Sequence, residues 1–479
     1  MARSETGSKE AGDRRTCDII VENGYVMTLD ENRTVYAKGA VAIEGRSIAA
    51  VGPERDVLAR WRAPRTIDAR GAPVHPGFID PHNHVVHITA RGVFVDTLGS
   101  AKQPVSFADW KADVRPEEEH LGAQLSCLEL LRNGFTMFVE PGTAFDNDAI
   151  AEAAEAVGVR GMVTEPYLWD STDIFKHAGG LYSEKLLARC PPETNHCLKL
   201  LGRELKRNKD PDALVRGYIA LYGEGTASDE LERAAKAKAR EAGVVFQQHE
   251  GYLPTIAKLQ REKFGKSRMS HLAGLGVIDR DTTFIHMYCL YDEDEKTLLD
   301  AGASIIWCPH AYLTLNIHGQ AKVRMMGLHR RGLNVALATD GALDNRIGVA
   351  GPTAHYVARD AGDALSAEAI LEMQTITAAR ASGLGAAVGS LEAGKRADLV
   401  IRGEGATETQ PGLHPAHQLA LVAGPGTVDT AIVDGQVVFK GGRSTRVDEE
   451  AIYAEARASV VRRMERLGLS IAGAWPVVA

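Results

Sequence analysis

Cysteine, long apolar runs and excess positive charge are all scarce in this chain. Six cysteines occur among 479 residues with no Cys-x-x-Cys pair, so we expect free thiols in a reducing compartment rather than a disulfide framework. No apolar run reaches about 18 residues, so no transmembrane helix is expected. With 55 Lys and Arg against 63 Asp and Glu, the net charge of −8 favours neither nucleic acid nor an anionic membrane as a partner. The polar start lacks the apolar segment of a secretory signal, and we expect a cytoplasmic protein.

The middle of the chain has the pattern of a large α/β protein. Nearly all-apolar runs alternate with helical stretches, and such runs are typical of strands buried on both faces of a parallel sheet. The eight runs cover residues 74–84, 134–140, 159–165, 217–222, 244–249, 283–288, 303–309 and 334–340. Eight strand–helix units predict a (β/α)8 barrel of the TIM type over residues 74–389.

Both ends of the chain are richer in strand signals than in helix signals. Residues 17–73 carry short apolar runs with turns such as Asn23-Gly24, and the same texture returns over residues 390–445. We expect these two segments to pair into one small sheet domain. A disordered tail is predicted over residues 1–16, and a C-terminal helix and tail over residues 446–479.

Two histidines two residues apart form the first part of a candidate site. His82 and His84 end the first predicted barrel strand, and side chains at positions i and i+2 of a strand point to the same face. His249 ends the fifth predicted strand, His286 lies near the end of the sixth, and Asp340 ends the eighth. Because barrel enzymes place their sites at the carboxyl ends of the strands, we expect all five side chains around one mouth.

Three neutral imidazoles and one carboxylate suit a catalytic divalent ion that keeps one position open for water. We predict His82, His84, His249 and Asp340 as its ligands, with Asp340 also accepting the proton of the activated water. His286 is expected to hydrogen-bond that water or the charge developing on the substrate. Zn2+ is the expected ion, although Fe2+, Mn2+ and Co2+ suit the same ligands.

Several motifs together resemble the signatures of the amidohydrolase superfamily. They are PGFIDPHNH, the HE pair after VVFQQ, the isolated His286, LATDGALDN and GSLEAGKRADLVI. The resemblance implies a metal-dependent hydrolase whose barrel carries a small β-sandwich built from both chain ends, and it assigns the same four ligands. Two-metal members use a carbamylated lysine at the end of strand four, where this chain has Glu224 and no lysine. The chain is therefore similar to the one-metal branch, which includes cytosine deaminase and the triazine hydrolases.

The chain departs from related deaminases at two positions. Tyr252 stands three residues after the strand-five histidine, where many of them have a glutamate, and a phenol is a poor proton carrier at neutral pH. His310 follows Cys308-Pro309, where related deaminases often have serine and asparagine, and it is a candidate to protonate a leaving group. Both are therefore candidate catalytic residues.

These departures favour one reaction and leave two alternatives open. The favoured reaction is hydrolysis of a non-peptide C–N bond in an amide, urea or carbamate, or of a thiocarbamate C–S bond, as in the phenylurea and molinate hydrolases. The first alternative is an aminohydrolase, or a dechlorinase, acting on a nitrogen heteroaromatic ring. The second is a catalytically inactive scaffold protein of the same superfamily. The expected partners are a small-molecule substrate and further copies of the chain, since homo-oligomers are common in the family.

Overall fold

The computed structural model describes residues 14–94, 104–177, 182–317, 319–403 and 405–470. The β-strands in these ranges are β1 Arg15–Thr16, β2 Ile19–Met27, β3 Val35–Glu44, β4 Ser47–Pro53, β5 Trp61–Arg62, β6 Arg65–Asp68, β7 Pro73–Pro76, β8 Phe78–Asp80, β9 Phe135–Val139, β10 Arg160–Val163, β11 Val215–Gly217, β12 Ile219–Gly223, β13 Phe246–Glu250, β14 Thr282–His286, β15 Ser304–Trp307, β16 Asn334–Leu337, β17 Leu399–Arg402, β18 Val428–Val433, β19 Gln436–Lys440 and β20 Arg443–Ser444.

The α-helices in the same ranges are α1 Glu54–Arg60, α2 Phe107–Asp113, α3 Pro116–Asn133, α4 Asn147–Val157, α5 Glu184–Arg189, α6 Thr194–Leu200, α7 Asp229–Ala242, α8 Pro254–Phe264, α9 Arg268–Gly274, α10 Asp292–Ala301, α11 Pro309–Thr314, α12 Met325–Arg330, α13 Ala350–Asp360, α14 Ala367–Met373, α15 Ile376–Ala381, α16 Pro415–His417 and α17 Glu449–Leu467. No helix within the described ranges is long and apolar enough to cross a bilayer.

The barrel consists of two parallel sheets that meet edge to edge. The first has the order β11-β10-β9-β8 and the second β12-β13-β14-β15-β16. At one junction, the amide of Tyr218 donates to the carbonyl of Val163 at 3.1 Å. At the other, Asn83 and Asp340 form an isolated parallel bridge. All eight predicted barrel strands are present, and the predicted α/β barrel is confirmed.

Strands from both ends of the chain form a separate sheet of nine strands outside the barrel. Its order is β20-β19-β18-β17-β7-β2-β3-β4, with β6 also paired to β2. The two ends meet where β17 runs antiparallel to β7 and Val400 lies opposite His75. Strands of both end segments therefore lie in one mixed sheet, joined through β7, most of which falls in the range predicted as barrel; the predicted domain bounds and the β-sandwich form stay predictions.

The run over residues 74–84, predicted as one strand, is divided between the two sheets. β7 joins the nine-stranded sheet, and the barrel begins only with β8. Gly77 separates them at a point of close packing, because a Cβ added there would lie 2.0 Å from Thr136 Oγ1. The apolar pattern could not reveal this division, because both strands are buried.

The predicted ends need one correction. Of the 1–16 tail, residues 1–13 lie outside the described ranges, but Arg15–Thr16 pair in parallel with Trp61–Arg62. The backbone of residues 15 and 16 pairs with β5, so these two residues form a strand rather than part of a disordered tail. The predicted C-terminal helix is α17. Homo-oligomerisation and the cytoplasmic location stay predictions.

Candidate metal centre

His82, His84 and Asp340 are held at the point where the barrel closes. β8 ends at Asp80, so the two histidines lie just beyond the strand rather than on it, a correction to the predicted extended geometry. Asn83, between them, bridges to Asp340, and the Asp340 amide donates to the carbonyl of His82 at 3.0 Å. Asp80 braces the turn by accepting from Asn83 Nδ2 at 2.8 Å. Backbone pairing therefore brings residues from opposite ends of the barrel sequence together.

The five predicted side chains converge on one buried point. Asp340 Oδ1 lies 3.0 Å from His84 Nε2 and 3.5 Å from His82 Nε2. The ring centre of His82 lies 4.8 Å from those of His84 and His249 and 5.6 Å from that of His286. The imidazoles are at most 8% exposed, and the Asp340 side chain is 19% exposed.

Hydrogen bonds fix which nitrogen of each imidazole faces the centre. His84 Nδ1 lies 2.7 Å from Thr143 Oγ1, whose own hydrogen is donated to Glu140 Oε1 at 2.6 Å. The threonine oxygen can therefore only accept from His84, so Nδ1 carries the hydrogen and Nε2 keeps a lone pair. His249 Nδ1 lies 2.7 Å from the carbonyl of Tyr222, which imposes the same tautomer.

His286 is oriented in the same way through Tyr288. The Tyr288 hydroxyl donates to the carbonyl of Cys308 at 2.5 Å, so at its 3.3 Å contact with His286 Nδ1 it can only accept. Both ring nitrogens of His82 are buried, and neither has a hydrogen-bond partner among the residues that the structure describes. Lone pairs of several imidazoles therefore point toward the Asp340 carboxylate.

This donor set requires a positive charge at its centre. A lone pair of His84 Nε2 facing a carboxylate oxygen at 3.0 Å is repulsive unless a cation or a proton lies between them. Burial lowers the pKa of His82 and, more strongly, that of His249, and it lowers the pKa of His286 to about 3. Burial opposes ionisation of Asp340, but His82 and His84 outweigh it and hold its pKa well below the usual value. Neutral imidazoles around an ionised carboxylate fit a divalent metal ion.

Backbone strain also marks this position. His286 has φ of 75° and Asp340 has φ of 67°, which lie in the left-handed region that non-glycine residues seldom adopt. Such strain persists where the surrounding structure enforces it, often at functional sites. Here it turns both side chains into the mouth of the barrel.

Comparison with known proteins identifies the family to which this centre belongs. The amidohydrolase family profile matches residues 74–438, most of the chain. The chain belongs to the amidohydrolase family. This confirms the predicted class, a metal-dependent hydrolase.

Similar amidohydrolases cover nearly the whole chain. A 5'-deoxyadenosine deaminase of Methanosarcina mazei is 29% identical over 468 residues, covering 94% of this chain and 99% of the relative. A 5-methylthioadenosine/S-adenosylhomocysteine deaminase of Syntrophobacter fumaroxidans is 29% identical, covering 92% and 97%. A zinc-bound adenosine deaminase structure from Xanthomonas campestris matches at 25% identity and a TM-score of 0.78, over 95% of this chain and 100% of that one. A zinc complex of atrazine chlorohydrolase from Arthrobacter aurescens, 23% identical, shares the fold with a TM-score of 0.77 over 92% and 100%.

Tyr252 lies beside the centre of this amidohydrolase, but burial keeps its hydroxyl protonated. Its ring centre is 4.9 Å from that of His286 and 6.2 Å from that of His249. Burial, followed by the nearby Tyr222 hydroxyl and Glu224 carboxylate, raises the pKa of Tyr252 well above its usual value. Tyr252 therefore keeps its proton and is a poor acid or base here.

His310 is half-buried at the start of α11, with its Nε2 atom lacking a hydrogen-bond partner. Burial lowers its pKa, and the charges of Asp344 and Asp340 oppose that effect. Its ring is therefore within electrostatic reach of the centre without contacting the ligands.

Aromatic side chains form one wall of the centre. Tyr222 stacks on Tyr167 at 5.8 Å, packs against Trp169 at 5.1 Å and lies 5.3 Å from the ring centre of His249. Phe175 packs behind Trp169 at 5.1 Å. This cluster, the aromatic wall, is almost fully buried, and Tyr222 is its member next to the imidazoles.

Sequence reasoning missed the groups that orient the ligands. Glu140 could be found, because it ends a barrel strand, but nothing marked Thr143 or Tyr288 as partners of histidines. Glu140 also accepts from the amides of Gly142 and Thr143, which fixes the carboxylate that supports His84. Such partners set the tautomer and basicity of metal-binding histidines.

Proposed function

We propose that this amidohydrolase binds one divalent ion through His82, His84, His249 and Asp340, with His286 beside it. The observation that carries the proposal is the set of inward lone pairs around an ionised carboxylate. Zn2+ is the proposed ion, since the ligands are nitrogen and oxygen atoms and two similar structures contain zinc. Glu224 takes no part, because its carboxylate instead accepts from the amides of Tyr252 and Leu253.

The reaction we propose is hydrolytic removal of an amino group from a nitrogen heteroaromatic ring. A bound divalent ion would supply a water of lowered pKa and polarise the substrate. Asp340 holds the proton taken from that water, because its carboxylate is the acceptor at the centre. His286, with its Nε2 lone pair directed inward, accepts a hydrogen bond from water rather than donating one to a developing negative charge. This refines the role predicted for His286 from the sequence.

The aromatic wall supports a ring substrate. Tyr222 is the member of this wall next to the imidazoles, 5.3 Å from the ring centre of His249, and an aromatic ring at that position can stack on a planar heterocycle. The curated relatives are named as deaminases of adenine nucleosides. Together these observations favour the aminohydrolase alternative over the amide, urea, carbamate or thiocarbamate cleavage that the sequence suggested first.

In this proposal, Asp340 protonates the departing amine. Tyr252 replaces the glutamate of many deaminases, and burial holds the pKa of its hydroxyl well above the usual value. Among the described residues, Asp340 is the carboxylate in contact with the imidazoles, so it both takes a proton from water and returns it to nitrogen. His310 is a second candidate donor.

A second candidate reaction is removal of chloride from a similar ring. Chloride leaves without protonation, so the presence of tyrosine rather than glutamate at position 252 favours removal of chloride over removal of an amine. The two candidates share the substrate class and differ only in the leaving group.

The test is a panel of amino- and chloro-substituted pyrimidines, purines and triazines, with phenylureas and thiocarbamates as comparison compounds. Zinc-loaded enzyme is assayed for released ammonia, chloride, amine and thiol. Ammonia as the main product supports the proposal, and chloride supports the second candidate. Turnover confined to the ureas or thiocarbamates would contradict both.

A further inference from the structure

Lys111 is a buried lysine whose ammonium group has no polar partner. It lies on α2, on the flank of the barrel mouth, and is 8% exposed. Among the described residues, its Nζ atom takes part in no hydrogen bond or ion pair; its neighbours are the rings of Phe107 at 5.4 Å and Tyr167 at 5.7 Å. Lysines are seldom buried without an anion, because desolvating an ammonium group is costly.

A chain of ring contacts connects the Lys111 ammonium group to the candidate metal centre. The Phe107 ring that it contacts packs at 5.1 Å against His87, which stacks on His84 at 4.6 Å. Tyr167, its other neighbour, belongs to the aromatic wall. Lys111 therefore contacts this wall directly, and two further rings link it to His84.

Among the described residues, no carboxylate pairs with the Lys111 ammonium group in the free protein. Burial lowers its pKa to about 8, and Asp340 is the one charged group that acts against this effect. Asp340 is engaged with the imidazoles and, in the proposed function, with the metal ion. On the same flank, the buried Nε2 atom of His87 has no hydrogen-bond partner among the described residues.

We propose that Lys111 binds an anionic oxygen group of the substrate, a carboxylate in the first instance, attached to the ring that is hydrolysed. This inference rests on the proposed function for the identity of the ring, but the anion site itself follows from the unpartnered ammonium. An ammonium–carboxylate pair among aromatic rings is stronger than one in water. The anion would thus select substrates and fix the orientation of the ring against the aromatic wall.

The test compares matched ligands that differ in a carboxylate. Pterin and pterin-6-carboxylate form one pair, and 5'-methylthioadenosine and its S-carboxymethyl analogue, 5'-(carboxymethylthio)-5'-deoxyadenosine, form a second. Dissociation constants are measured by calorimetry at pH 7 on zinc-loaded wild type, Lys111→Met, Lys111→Gln and the control Lys185→Met. Lys185 is an exposed lysine on α5, the helix that packs against α2.

Wild type and the Lys185→Met control are expected to bind the carboxylate member of at least one pair about 10- to 100-fold more tightly than the other member. Lys111→Met should abolish this preference and leave the affinity for the neutral compound within about twofold. Lys111→Gln should keep only part of it. Melting temperatures of both Lys111 variants should not fall below that of wild type, since no partner is lost.

Two results would overturn the inference: a wild type without preference for either carboxylate, or a Lys111→Met protein that keeps the full preference. Ammonia release is recorded in parallel, so that the two proposals fail separately. Carboxylate preference without ammonia release would leave the anion site standing and contradict the aminohydrolase proposal.

Discussion

The hydroxyl of Thr143 provides a sharp test of how the ligand histidines are oriented. It accepts from His84 Nδ1 at 2.7 Å and donates to Glu140 Oε1 at 2.6 Å. The fixed Glu140 carboxylate therefore orients the hydroxyl, and the hydroxyl in turn orients His84. Thr143→Val removes both hydrogen bonds and keeps the shape of the side chain. His84 would then lose the group that holds the hydrogen on Nδ1.

We expect this substitution to weaken zinc binding by about 10- to 100-fold, the range measured for lost partners of metal-binding histidines. That factor corresponds to about 1.4 to 2.7 kcal/mol of binding free energy. The metal-free protein should also lose about 1 to 3 kcal/mol of unfolding free energy, because the buried Glu140 carboxylate loses a donor. Thr143→Ser keeps the hydroxyl and should restore most of the affinity.

The assay is zinc competition against a fluorescent chelator, with urea unfolding of the metal-free protein alongside. Thr283→Val is the matched control, because Thr283 is equally buried and its hydroxyl donates to the Ala381 carbonyl at 2.8 Å near the start of β14. The control should lose stability but not zinc affinity. The reasoning is refuted if Thr143→Val binds zinc within twofold of wild type while it folds normally.

Three further predictions address stability and catalysis. Lys111→Met should raise the unfolding free energy at pH 7 by up to about 3 kcal/mol, because burial lowers the lysine pKa from 10.5 to about 8. This gain should shrink as the pH rises from 8 to 10.5, where folded wild type gives up the proton first, and denaturation at pH 7 and pH 10 measures it. Arg160→Met should lower the free energy of unfolding in urea by about 3 to 5 kcal/mol, because the buried Asp398 carboxylate, which lies 2.7 Å from Arg160 Nε, would lose its ion-pair partner. A loss below about 1 kcal/mol would contradict this. In ammonia-release kinetics, Tyr252→Phe should lower kcat less than about fivefold and Asp340→Asn by more than about 100-fold; the reverse order would show that Tyr252 carries the proton.

The convergence of the ligands could be predicted from the sequence, because it depends on a general property of barrels. Carboxyl ends of parallel strands meet at one mouth, so His82, His249 and Asp340 had to approach one another once the eight apolar runs were read as strands. The motifs around them added the family. Neither argument depends on side-chain detail.

What could not be predicted depends on loops and on local geometry. Thr143 and Lys111 come from segments without a chemical motif, and only the folded chain places them beside histidines or aromatic rings. The division at Gly77 was hidden because both flanking strands are apolar. For Tyr252, the sequence predicted its place beside the centre, but it did not predict the interaction with the Tyr222 hydroxyl.

Metal content measured on the purified protein tests the central claim most directly. Plasma mass spectrometry of wild type, His84→Ala, His249→Ala and Asp340→Ala should give one divalent ion per wild-type chain and a marked loss in each variant. The Lys185→Met control should retain its ion. Two ions per chain, or variants that keep a full complement of metal, would contradict a single centre built from these residues.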